Sequence, residues 1–134
     1  MSDKQRATQI GMPWQPKLNY FGHLVWQAFD SCAYLVGSAL TRRDYRDVDV
    51  RVILDDEDFA QRFERHEMSD KGMIATEHLA NPRLAAMNMA FSALGAEITG
   101  LPIDFQIDQM TRANAEHPGR RNALGLSFRK FSDG

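Results

Sequence analysis

Four residues, Asp47-Val48-Asp49-Val50, constrain this chain more tightly than any other feature. Strict alternation is the period of a strand, so both carboxylates face one side and both valines the other. One strand repeat separates the two acid Cα atoms by roughly 6.6 Å, so both side chains can reach one ion or one ion pair. Like charges held that close repel, and a fold tolerates them more readily when a cation neutralises them. Upstream, Ala33 to Val36 is a short apolar run ending at Gly37-Ser38, and a polar loop of eight residues, 39–46, joins it to the acidic strand. The stretch therefore reads as a buried strand, a Gly-Ser turn, a polar loop and a second strand bearing two acids.

With 134 residues and 43% hydrophobic content the chain is expected to form one core, too small to divide into two. A net charge of −2 gives no global basic field, so a nucleic-acid partner is possible but not indicated by charge. The single Cys32 excludes an internal disulfide and suits a reducing compartment. There is no charged-then-apolar leader, and no apolar run approaches the ~18 residues of a membrane span. The expectation is a cytoplasmic domain with no membrane partner.

The remaining segments follow from pattern. Residues 1–18 are polar, with Pro13 and Pro16 around Trp14, and predict an irregular arm that the tryptophan could pin to the body. Phe21, Leu24, Val25, Ala28 and Phe29 recur at helical spacing and predict a helix from Asn19 to about Ser31. Val48 to Leu54 is β-branched and alternating, with one core face and one mixed face. Asp55, Asp56, Glu57 and Asp58 suit the start of a helix, where negative charge meets the positive end of the dipole, and capping explains them better than metal binding. Phe59 and Phe63 would anchor that helix, which is expected to end near His66. Residues 67–80 read mostly as loop. Asn81-Pro82 opens a further helix with Leu84, Met87, Phe91 and Leu94 on one face and Gly95 as its stop. In the third strand, Leu101 to Asp108, Ile103, Phe105 and Ile107 point one way and Asp104, Gln106 and Asp108 the other. The expected organisation is an arm (1–18), a domain (19–111) and a polar, basic tail (112–134) containing Arg120, Arg121, Arg129 and Lys130.

These pieces suit phosphate chemistry. Glycine lets backbone approach a phosphate closely, while adjacent amides and the Ser38 hydroxyl can donate to its oxygens. Carboxylates at alternate strand positions suit Mg²⁺, which takes oxygen ligands and usually keeps substrate phosphates in its shell. A third carboxylate from another strand would help to hold a second ion and activate an attacking hydroxyl.

Hydrophobic-Gly-Ser, an Arg-containing loop and Asp-hydrophobic-Asp-hydrophobic resemble the signature of the DNA polymerase beta-type nucleotidyltransferase superfamily, above all its minimal members. The matching residues are Leu35-Val36-Gly37-Ser38, Arg42-Arg43 and Asp47-Val48-Asp49-Val50, with Ile103-Asp104-Phe105 fitting the third-acid strand. The resemblance spans about Asn19 to Asp108. It implies an α+β, nucleotidyltransferase-like fold, with a small mixed sheet of about three to five strands flanked by helices. It also implies that Gly37, Ser38 and Arg42 bind a nucleoside triphosphate such as ATP. Asp47, Asp49 and Asp104 would be the catalytic acids and the ligands of Mg²⁺ or Mn²⁺. The implied reaction moves a nucleoside monophosphate to a hydroxyl on a protein, an RNA or a small molecule, releasing pyrophosphate. The chain departs from the minimal pattern at Arg46, where Ser is usual, and at Arg43, where Gly is frequent. A second reading is a catalytically inactive domain of the same kind that works through a protein partner, as in a toxin–antitoxin or phage-type setting.

Other candidates weigh less. Asp108 shares a strand face with Asp104 and is its alternate. Arg42 could clamp phosphate or equally pair with Asp44 or Asp47 in solvent, and Arg43 is weaker still. Lys71 is better read as a surface lysine. His23, His66, His78 and His117 lack partners at zinc spacing. Ser38 lacks the Gly-x-Ser-x-Gly context of an acyl-transfer nucleophile, and no Gly-x-x-x-x-Gly-Lys loop is present.

Overall fold

The computed structural model describes residues 10–42, 44–63 and 81–126. The first helix, α1 (Trp14–Phe29), buries Leu18, Phe21, Gly22, Val25 and Phe29, an i, i+3, i+4, i+7 stripe. It begins five residues before the expected Asn19, inside the stretch read as an arm. Pro16 permits this because it lies in the first turn, where a backbone N–H has no intrahelical partner to lose. Trp14 is exposed, and Ile10 is the residue that enters the core instead.

After α1 come β1 (Ala33–Val36), a single 3₁₀ turn (Gly37–Leu40) and β2 (Val48–Leu54). The short loop between the two strands makes them antiparallel. Helices α2 (Asp56–Phe63) and α3 (Pro82–Thr99) follow, and the chain returns as β3 (Ile103–Gln109), parallel to β2 as a helical crossover requires. Helix α4 (Met110–Glu116) and β4 (Asn122–Ala123) complete the described fold. The sheet order is β3-β2-β1-β4, with β4 antiparallel to β1. The architecture is thus α+β, a four-stranded mixed sheet flanked by helices, as expected.

The core lies between α1, α3 and the apolar face of the sheet. Phe105 is its centre, with ring centroids 5.2 Å from Phe91 and 6.1 Å from both Phe21 and Phe29. Val48, Val50, Val52, Ile103 and Ile107 complete this face. Burying each such side chain stabilises the fold by about 1.5–3 kcal/mol.

Asn81 caps α3 as expected, its Oδ1 accepting from Leu84 N at 3.0 Å. Its Nδ2 also donates to Phe63 O at 2.8 Å, tying the end of α2 to the start of α3. Gly95 does not stop the helix, which runs on to Thr99. A Cβ at Gly95 would lie 2.9 Å from Phe21 Cζ and 3.0 Å from Ile103 Cγ2, so the glycine serves close packing in mid-helix. Correspondingly Leu94 is exposed, and Gly95 and Thr99 occupy the buried stripe.

The acidic run at α2 does cap and pair. Asp55 accepts from Asp58 N at 2.7 Å, Asp58 pairs with Arg62 at 2.9 Å, and Asp56 takes both donors of Thr111. Phe59 and Phe63 are buried, with ring centroids 5.0 Å apart. The expected end near His66 and the loop 67–80 lie outside the described residues. Beyond Arg112 the chain is more than a solvated tail: α4 buries Ala113, β4 extends the sheet, and Leu124 enters the core. No helix of the described residues is long and apolar enough to cross a membrane.

Candidate carboxylate site at the Gly-Ser corner

Strand register brings the key residues together. Val36 on β1 pairs with Asp49 on β2, and Asp49 pairs with Asp104 on β3. Immediately after Val36, Gly37 turns the chain with φ +78°. A Cβ there would meet Asp49 Oδ2 well inside contact distance. Glycine therefore suits the corner twice: its left-handed backbone is costly for other residues, and a Cβ would push the Asp49 carboxylate aside. Ser38 follows in the 3₁₀ turn, whose last carbonyl, Leu40 O, accepts from Arg120 Nη2 at 3.0 Å.

Asp47 is exposed and immediately precedes the first residue of β2. With Asp49, Ser38 and Arg42 it lines a cleft of about 280 Å³, to which Asp44 and Tyr45 also contribute. Asp104 lines a second groove, of about 420 Å³, between α3 and β3, with Leu84, Asn88, Met89 and Ser92 among its walls. Asp49, which lines the first cleft, is the register partner of Asp104, which lines the second. Along the outer edge of β3, Ser92 Oγ accepts from Phe105 N at 2.9 Å and Asn88 Oδ1 from Ile107 N at 2.9 Å. These side chains occupy donors that an edge strand would otherwise offer to another chain.

Arg51 is the residue that sequence reading left unassigned. It sits on the same strand face as Asp49, and its side chain is only 8% exposed. Nη1 donates to Asp104 O at 2.7 Å and to Val50 O at 3.1 Å, which fixes the guanidinium. Its nitrogens then lie 3.5 Å from Asp104, 3.8 Å from Asp49 and 3.9 Å from Asp108 carboxylate oxygens. The period-two alternation of 47, 49 and 51 was the available signal for it. Arg120 had no such signal, being eighty residues from Leu40 in the chain.

The electrostatics are unbalanced. Burial raises the Asp49 carboxyl above its ordinary pKa; Arg51 opposes the shift, while Asp104 and Asp47 add to it. Asp108 is also raised, first by burial, with Arg51 opposing and Glu116 reinforcing, and Arg112 and His117 lowering it. Its Oδ2 is buried with no hydrogen-bond partner.

Arg42 forms a fork with Asp44, Nε to Oδ1 at 3.1 Å and Nη2 to Oδ2 at 2.9 Å, at the exposed rim of the cleft. Arg43, Lys71, His66 and His78 lie outside the described residues. Among the described residues, no group of three or more His, Cys, Asp or Glu side chains is arranged to hold a metal ion. Asp47 and Asp49 nevertheless offer the all-oxygen pair that suits Mg²⁺ when substrate phosphates and water complete its shell. Arg51 faces the carboxylates of both Asp49 and Asp104, at 3.8 and 3.5 Å. The chain matches no protein-family model, and no curated protein or solved structure matches it.

Proposed function

We propose that this protein is a metal-dependent nucleotidyltransferase built on a minimal nucleotidyltransferase-like fold. The observation that carries the reading is the contact of Asp49 with the Gly37 corner, with Asp104 beside it in register. A glycine turn whose amides lie beside an acidic face is a combination that suits a phosphate with its metal ion.

In this reading Gly37 and Ser38 hold the triphosphate through the turn's amides and hydroxyl. Asp47 and Asp49 hold Mg²⁺ or Mn²⁺, which when bound neutralises phosphate charge and polarises the α-phosphate. Asp104 orients the acceptor hydroxyl and takes its proton. The acceptor oxygen bonds to the α-phosphorus, the bond from that phosphorus to the bridging oxygen breaks, and pyrophosphate leaves. The 420 Å³ groove beside Asp104 is where the acceptor would lie. The test is incubation with labelled nucleoside triphosphates, Mg²⁺ or Mn²⁺ and cell lysate. Label transfer with pyrophosphate release, lost in Asp47→Asn and Asp49→Asn, supports the assignment. No transfer and no pyrophosphate in any of these conditions rejects it.

One observation favours a second reading. Arg51 already supplies positive charge among the acids, which suits a domain that keeps the fold, does no turnover and acts through a protein partner. Nucleotide or partner binding without turnover supports that reading; turnover abolished at Asp49 dismisses it.

A further inference from the structure

We propose that Arg51 is a resident counter-cation shared by Asp49 and Asp104, so that this site accepts one divalent ion, between Asp47 and Asp49, instead of a second between Asp49 and Asp104. The inference rests on the nucleotidyltransferase reading and departs from the two-ion arrangement that reading first implies.

Four acids meet on or beside this face: Asp47, Asp49, Asp104 and Asp108. An arginine stays protonated at any pH the protein experiences, so its charge is permanent. Two backbone carbonyls, Val50 O and Asp104 O, take its Nη1 hydrogens, which anchors the group independently of the carboxylates. The carboxylates are therefore held at 3.5–3.9 Å, beyond direct hydrogen bonding, as charge partners of a fixed cation. A second divalent ion between Asp49 and Asp104 would lie beside that guanidinium, an arrangement that like-charge repulsion opposes. Asp47, four residues before Arg51 in the chain, lines the open cleft with Asp49. Asp108 is 2% exposed, and its Oδ2, which makes no hydrogen bond, lies 3.9 Å from Arg51 Nε, so the guanidinium has a carboxylate at Nε as well as at Nη2.

The experiment is a Mn²⁺ titration of the full chain without nucleotide, counting free ion by electron paramagnetic resonance. The expected result is one ion per chain in the wild type, lost in Asp49→Asn and retained with an affinity within about twofold in Asp104→Asn. Arg51→Met, which keeps the length and removes the charge, is expected to gain a second ion or bind the first at least about tenfold more tightly. Arg51→Lys is expected to keep a single ion, and circular dichroism checks that each variant folds. Two ions in the wild type, one of them lost in Asp104→Asn, overturn the inference while leaving metal-dependent transfer intact. No bound ion in the wild type overturns the inference as well, and label transfer in Mg²⁺ then decides the parent reading separately. The wild-type and Asp104→Asn counts decide the question even if Arg51→Met does not fold.

Discussion

Asp49 and Asp104 are register partners on two parallel strands, and a single guanidinium, that of Arg51, faces both carboxylates at 3.8 and 3.5 Å. Asp49 lines one cleft and Asp104 another groove, so changes at either residue should be read in function before stability.

Asp49→Asn and Asp104→Asn should each lower nucleotidyl transfer by at least about a hundredfold, the usual scale for losing a positioned acid–base or charge-stabilising group. Asn preserves shape, so folding should be retained in both. Steady-state pyrophosphate release measures the loss; a change below threefold in either variant would count against its assigned role.

Gly37→Ala and Gly100→Ala form an informative contrast. Both glycines have positive φ, 78° and 74°, so each substitution should cost about 1–2 kcal/mol of backbone strain. Gly100 has open space where a Cβ would go, whereas at Gly37 the new methyl meets Asp49 Oδ2, the movable end of its side chain. Urea unfolding should therefore give similar stability losses, while only Gly37→Ala displaces the Asp49 carboxylate and abolishes Mn²⁺ binding. Equal Mn²⁺ affinity in the two variants would contradict this.

Asn81→Ala removes both the cap on Leu84 N and the donor to Phe63 O, and Asn81 is fully buried. The expected cost is about 2–3 kcal/mol, measured by urea unfolding, because a lost cap and a buried unpaired carbonyl add. Asn81→Asp keeps the cap and loses the donor, and should also destabilise.

Stability should fall as pH rises through the acid range on account of Asp108. Its folded pKa is raised above the ordinary 3.8, first by burial. Just above 3.8 the folded chain holds a proton that the unfolded chain has released, so the unfolding free energy declines with rising pH until the folded pKa is passed. Asp108→Asn removes the share of that decline due to Asp108 and leaves the share due to Asp49, whose carboxyl burial also raises. The stability of the variant relative to wild type should therefore increase with pH across this window and then level off; a difference independent of pH would exclude the effect.

Arg42→Ala should leave the thermal midpoint unchanged, since its fork with Asp44 is exposed on both sides. In the nucleotidyltransferase reading it should raise the nucleotide KM about tenfold, a difference of about 1.4 kcal/mol in binding. An unchanged KM would leave Arg42 as a solvated ion pair alone.

Local periodicity was sufficient for much of this molecule. Alternation in 48–54 and 103–108 gave the sheet its two faces, Asn81-Pro82 announced the start of α3, and the Gly-Ser corner followed from a strand ending at glycine. Such signals are local because backbone geometry repeats every two or 3.6 residues whatever lies across from it. Only long-range packing decided the rest. The pairing of Asp49 with Asp104 depends on the order and register of strands whose connection includes α2 and α3, and no pattern within either strand encodes it. Gly95 looked like a stop because its neighbours Phe21 and Ile103 are distant in sequence. The segment after Arg112 looked like a tail because β4 is two residues long and its partner, β1, lies some ninety residues earlier. Arg51 was visible as one charged residue on a mixed face; three carboxylates from two strands made it a buried cation.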